Sequence, residues 1–282
     1  MDAELFKPFK LCISIFKTAG MWQDGNQTWA YFILGYLFHF TFLEVYTLLV
    51  AIYAFKAENL VDFVDAFCLT IALLAQIFKS VNFFYKLKLI IKQIETLDSI
   101  LVFSADKRFE RREKVRAQVA KAFLVFKVLL TTAAMTCLSA IFVPFMAHKL
   151  PYKIWLPFDT DYGTFGFWFS ASLLIVNSYF IASTDMTLDI LPVVFSSFII
   201  GVIEELSSRL NDIGKLNESN ENDVNELIKC IEIQKKIKEF VNDTRSNFST
   251  AILGQALMSS IILCTSAFLM STVGISLSIK SL

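Results

Sequence analysis

The chain has 282 residues, 55% of them hydrophobic, with 29 phenylalanines and equal numbers of acidic and basic side chains, 26 of each. A mean hydropathy of +0.57 lies well above that of soluble domains and places the chain in a membrane class. The balanced charge gives no basic folded surface for nucleic acid. The five cysteines, Cys12, Cys68, Cys137, Cys230 and Cys264, show no CxxC or CxxxC spacing. No disulfide framework, zinc site or redox motif is therefore expected, and all five are read as reduced.

In chain order, residues 1–28 form a cytoplasmic N-terminal segment. Leu5, Phe9, Cys12, Ile13 and Phe16 cluster on one side of a helical wheel, with Lys7, Lys10 and Lys17 opposite. The lysines break the apolar run too early for a secretory signal, and the pattern suits a helix lying in the inner membrane interface; the alternative is a soluble tail with chance periodicity. Spans follow at about 29–55, 63–87, 122–146 and 165–203, each long enough to cross roughly 30 Å of hydrocarbon. Backbone polar groups have no solvent in lipid, so each span is read as a helix. The runs are continuously apolar and too long for barrel strands, which excludes a β-barrel.

The fourth block has no clear break between 165 and 210, about 65 Å of helix, so it should continue beyond the membrane. Pro192 is expected to kink it. Ile203, Leu206, Leu210 and Ile213 keep a helical period past the span. After a polar linker at 215–223, the period resumes at Val224, Leu227, Ile228, Ile231, Ile237, Phe240 and Val241 and runs into a fifth span at 248–279. Residues 204–247 are thus read as a cytoplasmic helical anchor region, whose apolar stripes need something to bury against. A local helical hairpin and a subunit-contact layer both satisfy that need. The connection after the second span is also helical in pattern, through Leu87, Ile90, Ile91, Ile94, Leu97 and Leu101. Ser104 or Asp106 would cap the next helix, which carries the basic run 107–121.

Basic residues are sorted by side. Lys7, Lys10 and Lys17 precede the first span, ten basic residues occupy 86–121, and seven occupy 209–245. The other connections and the tail hold only Lys56, Lys149, Lys153 and Lys280. Lys and Arg are held on the cytoplasmic side during insertion, so the N-terminus is predicted inside. That orientation argues against an ordinary G-protein-coupled receptor. The four sequons, at Asn26, Asn217, Asn242 and Asn247, fall on the predicted inner side and should carry no glycan. The fold class is an all-α, polytopic transmembrane helical bundle.

No catalytic motif is present: the chain lacks GxSxG, HExxH, Walker A and GxGxxG patterns. It is read as no enzyme, with no metal or cofactor. The two histidines are His39, inside the first span, and His148, in an outer connection. Charges at membrane depth are costly and usually face protein or water. Glu44, Lys79, Lys127, Asp185 and Asp189 are of this kind; interhelical bonding and snorkelling account for them, and a water-lined path is the functional alternative. Three stripes line the outer halves of the helices: Phe67, Ile71, Leu74 and Phe78 on the second, Leu138 and Phe142 on the third, and Trp168, Ser172, Ile175 and Tyr179 on the fourth. They would make a greasy pocket with few polar groups, suited to a small apolar ligand. Lipid-facing or packing stripes have the same sequence pattern.

Three stretches carry a resemblance. The connection Leu150-Pro151-Tyr152-Lys153-Ile154-Trp155-Leu156-Pro157-Phe158-Asp159 resembles a signature before the fourth helix of insect odorant receptors. Leu227 to Ile231, Gln234, Phe240 and Phe248-Ser249 are similar to that family's helix leading into the fifth span. Gln255, Ser259-Ser260 and Cys264 resemble its fifth-helix pattern. The family often has a histidine where this chain has Ile233. The resemblance implies a tuning-type subunit of a ligand-gated cation channel in the plasma membrane. Its partners would be small volatile odorants, membrane lipid and a shared co-receptor in a tetramer, with no nucleic acid. It supports the three stripes as ligand-binding and assigns Leu206, Leu210, Leu227, Ile231 and Phe240 to subunit contact. Seven spans are usual and five are found here, so the chain is expected to be truncated and non-conducting alone. A gustatory receptor and a non-receptor transporter are the alternatives; the absence of repeats and the few glycines fit a transporter poorly.

Overall fold

The computed structural model describes residues 5–23, 28–104, 112–150, 152, 154–158, 161–213 and 220–280. Pro151, Lys153 and Asp159 of the outer connection, Asp106, the basic residues Lys107, Arg108 and Arg111, Lys215, and the sequons Asn26 and Asn217 lie outside them. All regular structure among the described residues is helical: α1 (Lys7–Thr18), α2 (Trp29–His39), a π-helical turn (Phe40–Val45), α3 (Tyr46–Lys56), α4 (Leu60–Ser104), α5 (Arg112–Ala147), α6 (Phe165–Asp212) and α7 (Asn220–Lys280).

Five helical stretches are long and apolar enough to cross a membrane: Trp29–Lys56, Leu60–Leu97, Glu113–Ala147, Phe165–Asn211 and Val224–Ser271. They coincide with the five spans expected from hydropathy. The helices outrun those spans because nothing stops them. α4 contains neither Gly nor Pro across its 45 residues, so the second span and its amphipathic continuation form one rod. α7 joins the resumed stripe and the fifth span in 61 residues, about 90 Å at 1.5 Å per residue. Pro192 lies inside α6 without ending it.

The first span contains a feature that its apolar sequence conceals. Between α2 and α3 the helix widens into a π turn, where residues five apart are brought into line. His39 and Glu44 are five apart, and His39 Nδ1 lies 3.3 Å from Glu44 Oε1. The widened turn thus supplies an intrahelical partner for a charge near the middle of a span. Thr41 and Thr47 donate from Oγ1 to the carbonyl oxygens of Leu37 and Leu43, at 2.8 and 2.6 Å.

The chain divides into two compact units, each drawing on several helices. Unit 1 comprises Met1–Thr18, Tyr85–Leu129 and Met186–Ser249. Its centre is aromatic. Phe9 of α1 packs on Phe195 of α6 with ring centroids 5.2 Å apart, and Phe6 lies 6.4 Å from Phe198. Phe240 and Phe248 of α7 approach Phe195 at 5.6 and 5.9 Å. α1 forms where its periodicity places it, but its apolar face, Phe9, Cys12 and Phe16, is buried on protein. The phenylalanines of α6 supply the apolar surface against which that face packs. Gly201 of α6 permits close passage of α5, since a Cβ there would come within 2.6 Å of Val115 Cα.

Polar bonds close unit 1 around that centre. Asn247 Nδ2 donates to Gln93 Oε1 at 3.0 Å, and Gln93 Nε2 donates to the Phe240 carbonyl at 3.4 Å and to Thr244 Oγ1. Lys86 Nζ donates to the carbonyls of Ser246 and Asn247. Buried Arg209 pairs with Glu205 one turn away at 2.8 Å. The Asn247 sequon is therefore closed by burial and bonding, whichever side of the membrane it occupies.

Unit 2 comprises Ala19–Phe84, Leu130–Asp185 and Thr250–Leu282. Its core gathers Leu43, Tyr46, Val50 and Ala54 of the first span, Ala66 and Leu73 of α4, Ile154 and Leu174. The outer connection is tied to the first span: Trp155 N donates to Leu49 O at 3.3 Å, and Lys56 Nζ sits 4.5 Å from the centre of the Trp155 ring. Gly20, at φ +71°, and Gly35 meet backbone to backbone, and a Cβ on Gly35 would lie 2.8 Å from Gly20 Cα.

Candidate functional site

The sequence places Trp168, Ser172 and Ile175 at i, i+4 and i+7, one face of a helix. The start of α6 fixes where that face points. Thr164 Oγ1 accepts from Phe167 N at 3.1 Å, an N-cap that satisfies a free donor of the first turn. Trp168 N then donates to Thr164 O, opening the helix just ahead of the face.

The face meets α5 across a hollow of about 290 Å³ within unit 2. Trp168, Ala171, Ser172, Ile175 and Val176 form one wall, and Ile141, Pro144 and Phe145 the other. The Phe145 and Trp168 rings lie 4.9 Å apart. Tyr162, 6.0 Å from Trp168, also contacts Phe167 and His148. His148 follows α5 in a left-handed conformation, φ +52°, the usual geometry where a helix is stopped. The hollow is almost wholly apolar, with the Ser172 hydroxyl and the Trp168 indole N–H as its side-chain polar groups. Its volume is near the lower end for small-molecule sites.

The other residues of the three stripes are distributed differently. Leu138, Phe142 and Tyr179 are exposed, the last two at 64% and 61%. The α5 wall is formed instead by Ile141 and Phe145, each three residues further along. On α4, Phe67 and Ile71 are half-buried, and Leu74 and Phe78 are exposed at their edges. A Cβ on Gly254 of α7 would come within 2.5 Å of the Phe78 ring, so α7 runs close by that side chain. Ile141, Pro144, Phe145, Ala171 and Val176 were not among the expected lining residues. Pro144 offered a signal, since a proline within a span leaves a carbonyl without its donor.

Several charges at membrane depth have partners. Lys79 of α4 forms an ion pair with Asp185 of α6. One turn away, Gln76 Nε2 donates to Thr184 Oγ1 at 3.3 Å. Lys127 Nζ sits over the Phe123 ring at 4.5 Å. The buried oxygens Gln76 Oε1, Ser80 Oγ and Asn177 Oδ1 have no partner among the described residues. Such atoms ordinarily bind ordered water. Among the described residues no cluster of His, Cys, Asp and Glu is arranged to hold a metal.

Of the residues assigned to subunit contact, Leu210, Leu227 and Ile231 are exposed, Leu206 is half-buried and Phe240 is buried against Phe195.

Residues 59–281 match the family model of the 7tm odorant receptors. The chain belongs to the odorant receptor family. The match covers most of this receptor and sets aside the gustatory and transporter alternatives. No curated protein sequence matches the receptor. Among solved structures, it is similar to the insect olfactory receptor OR5 from Machilis hrabei, at 15% identity and a TM-score of 0.65. The structure of that protein in complex with eugenol is similar at 16% identity and a TM-score of 0.70. Both alignments span 94% of this chain and 71% of the other, and at this identity they establish a shared fold. The receptor is thus a multi-pass membrane protein.

Proposed function

We propose that this chain is an odorant receptor subunit that binds small volatile, apolar molecules in the hollow between α5 and α6. The observation that carries this reading is the hollow itself: apolar walls, an aromatic pair at Phe145 and Trp168, and one hydroxyl, Ser172. Burying apolar surface there contributes about 25 cal/mol per Å², and the lone hydroxyl orients a ligand with one polar atom. That a relative of the same fold was solved with eugenol, a small aromatic, supports the ligand class. Further residues of the three stripes, above all Phe78 and Tyr179, are proposed to border the same ligand.

In this reading the subunit works in olfactory signalling as part of a ligand-gated cation channel with a co-receptor. It resides in the plasma membrane with its N-terminus in the cytoplasm, as the sorting of basic residues requires. Leu210, Leu227 and Ile231 supply exposed apolar surface for subunit contact. The test is saturable quenching of Trp168 fluorescence by a panel of small phenols and esters, in a variant retaining that tryptophan alone. Ser172→Phe fills the hollow without adding a second indole and should remove the response. Ligand binding that persists unchanged in Ser172→Phe would exclude this site.

A further inference from the structure

Unit 1 contains a second hollow, of about 240 Å³, that the odorant reading leaves unused. Leu5, in the turn before α1, Pro8, in its first turn, and Val119 and Phe123, from α5, give it apolar walls. Lys7 and Arg116 line it as well, and none of its lining residues is acidic. Both cations are exposed, whereas Leu5, Pro8 and Val119 are buried.

Position in the chain says what this combination faces. Arg116 to Phe123 lies early in the third candidate span, Glu113–Ala147, just where the charged residues of α5 give way to its apolar run. At that depth lipid phosphates meet acyl chains. Long basic side chains reach towards the phosphates while their stems lie along apolar surface. Lys114 and Lys121 on α5 add to the positive potential, and Glu113, one turn before Arg116, is the acidic neighbour on that helix.

We infer that this hollow binds an anionic glycerophospholipid. Lys7 and Arg116 hold the phosphate, and an acyl chain lies over Val119 and Phe123. A cationic rim alone would accept any phosphate. The apolar floor, continuous with a membrane span, selects one attached to a lipid. The inference does not depend on the odorant reading.

The experiment is native mass spectrometry of the full-length, delipidated protein in detergent, titrated with dioleoylphosphatidylserine or dioleoylphosphatidylcholine. Phosphatidylserine should be retained in preference. Lys7→Gln and Arg116→Gln should each lower its retention roughly fivefold, the effect of one basic residue at an anionic surface. Phosphatidylcholine retention should change little. Lys10→Gln with Lys17→Gln, which leaves the hollow intact, should have no comparable effect. Phe123→Ala should weaken dioleoyl lipid more than a short-chain analogue, and inorganic phosphate should compete poorly. Equal retention of the two lipids would overturn the proposal. So would an equal loss in the Lys10/Lys17 variant, which indicates diffuse surface charge, or full displacement by inorganic phosphate, which indicates an anion site without a lipid.

Discussion

Around Phe195 unit 1 closes on phenylalanine, whereas between α5 and α6 unit 2 leaves room. In unit 1 α1 and two turns of α7 converge on Phe195 of α6, and the amide of Gln93 bonds to two separate turns of α7. In unit 2 the packing stops short between α5 and α6, and Gln76, Ser80 and Asn177 keep buried oxygens with no protein partner among the described residues. Close packing makes any loss of volume expensive. One chain thus builds a tightly packed aromatic centre and an open apolar hollow along the same long helices.

Chemical reactivity offers the largest contrast. Burial pushes the Cys12 thiol of unit 1 up to about 12 from an ordinary 9.0. The folded protein then holds that proton more tightly than the unfolded chain, so this group's contribution to stability declines as pH rises past 9. At neutral pH the thiolate fraction falls about a thousandfold, and alkylation of Cys12 should wait for unfolding. Cys264, exposed on α7, should react first with a membrane-permeant reagent. Equal labelling rates in the folded protein would show that unit 1 is open.

Core truncation is the next test. Phe195→Ala should destabilise by about 3–5 kcal/mol, read as a large fall in thermal midpoint in detergent. Phe145→Ala, on the exposed rim of the hollow, should cost less than about 1 kcal/mol yet alter ligand response. Comparable losses from both would erase the distinction between the units. Lys79→Ala removes the cation paired with Asp185 and should cost about 2–3 kcal/mol, below the range for breaking a fully buried pair because Asp185 is partly exposed. Lys79→Met with Asp185→Leu should recover most of that loss, measured by the same melts.

Much of this architecture is legible in the sequence, for reasons particular residues show. The five spans follow from apolar runs that only helices satisfy in lipid. The length of α4 follows from the absence of Gly and Pro between Leu60 and Ser104. Trp168, Ser172 and Ile175 share a face at helical spacing, so the α6 wall was visible. The α5 wall was not, because sequence periodicity locates an apolar face without saying which edge of it a neighbour covers. Leu138 and Phe142 satisfy the same period as Ile141 and Phe145. The π turn was hidden because a single added residue per turn leaves no mark in a continuously apolar run. The partner of α1 was hidden for a similar reason: Phe195 and Phe198 look identical to lipid-facing residues until α1 is laid against them.

Two smaller effects sharpen the contrast. Gly201→Ala sets a methyl against the Val115 backbone and should cost about 1–3 kcal/mol. Gly254→Ala meets the Phe78 ring first, a side chain that can turn aside, and should cost less in the same melts. Thr164→Ala removes the cap that starts α6 and should cost about 1 kcal/mol, with weaker ligand response because Trp168 and Ser172 are positioned from that turn.

The most direct measurement is the site of covalent labelling by a photoactivatable diazirine analogue of an active volatile, mapped by peptide mass spectrometry. Adducts are expected on α5 between Ile141 and Phe145 and on α6 between Trp168 and Val176, competed away by the parent odorant. Competable adducts confined to the phenylalanines around Phe195, with none on those two segments, would contradict it.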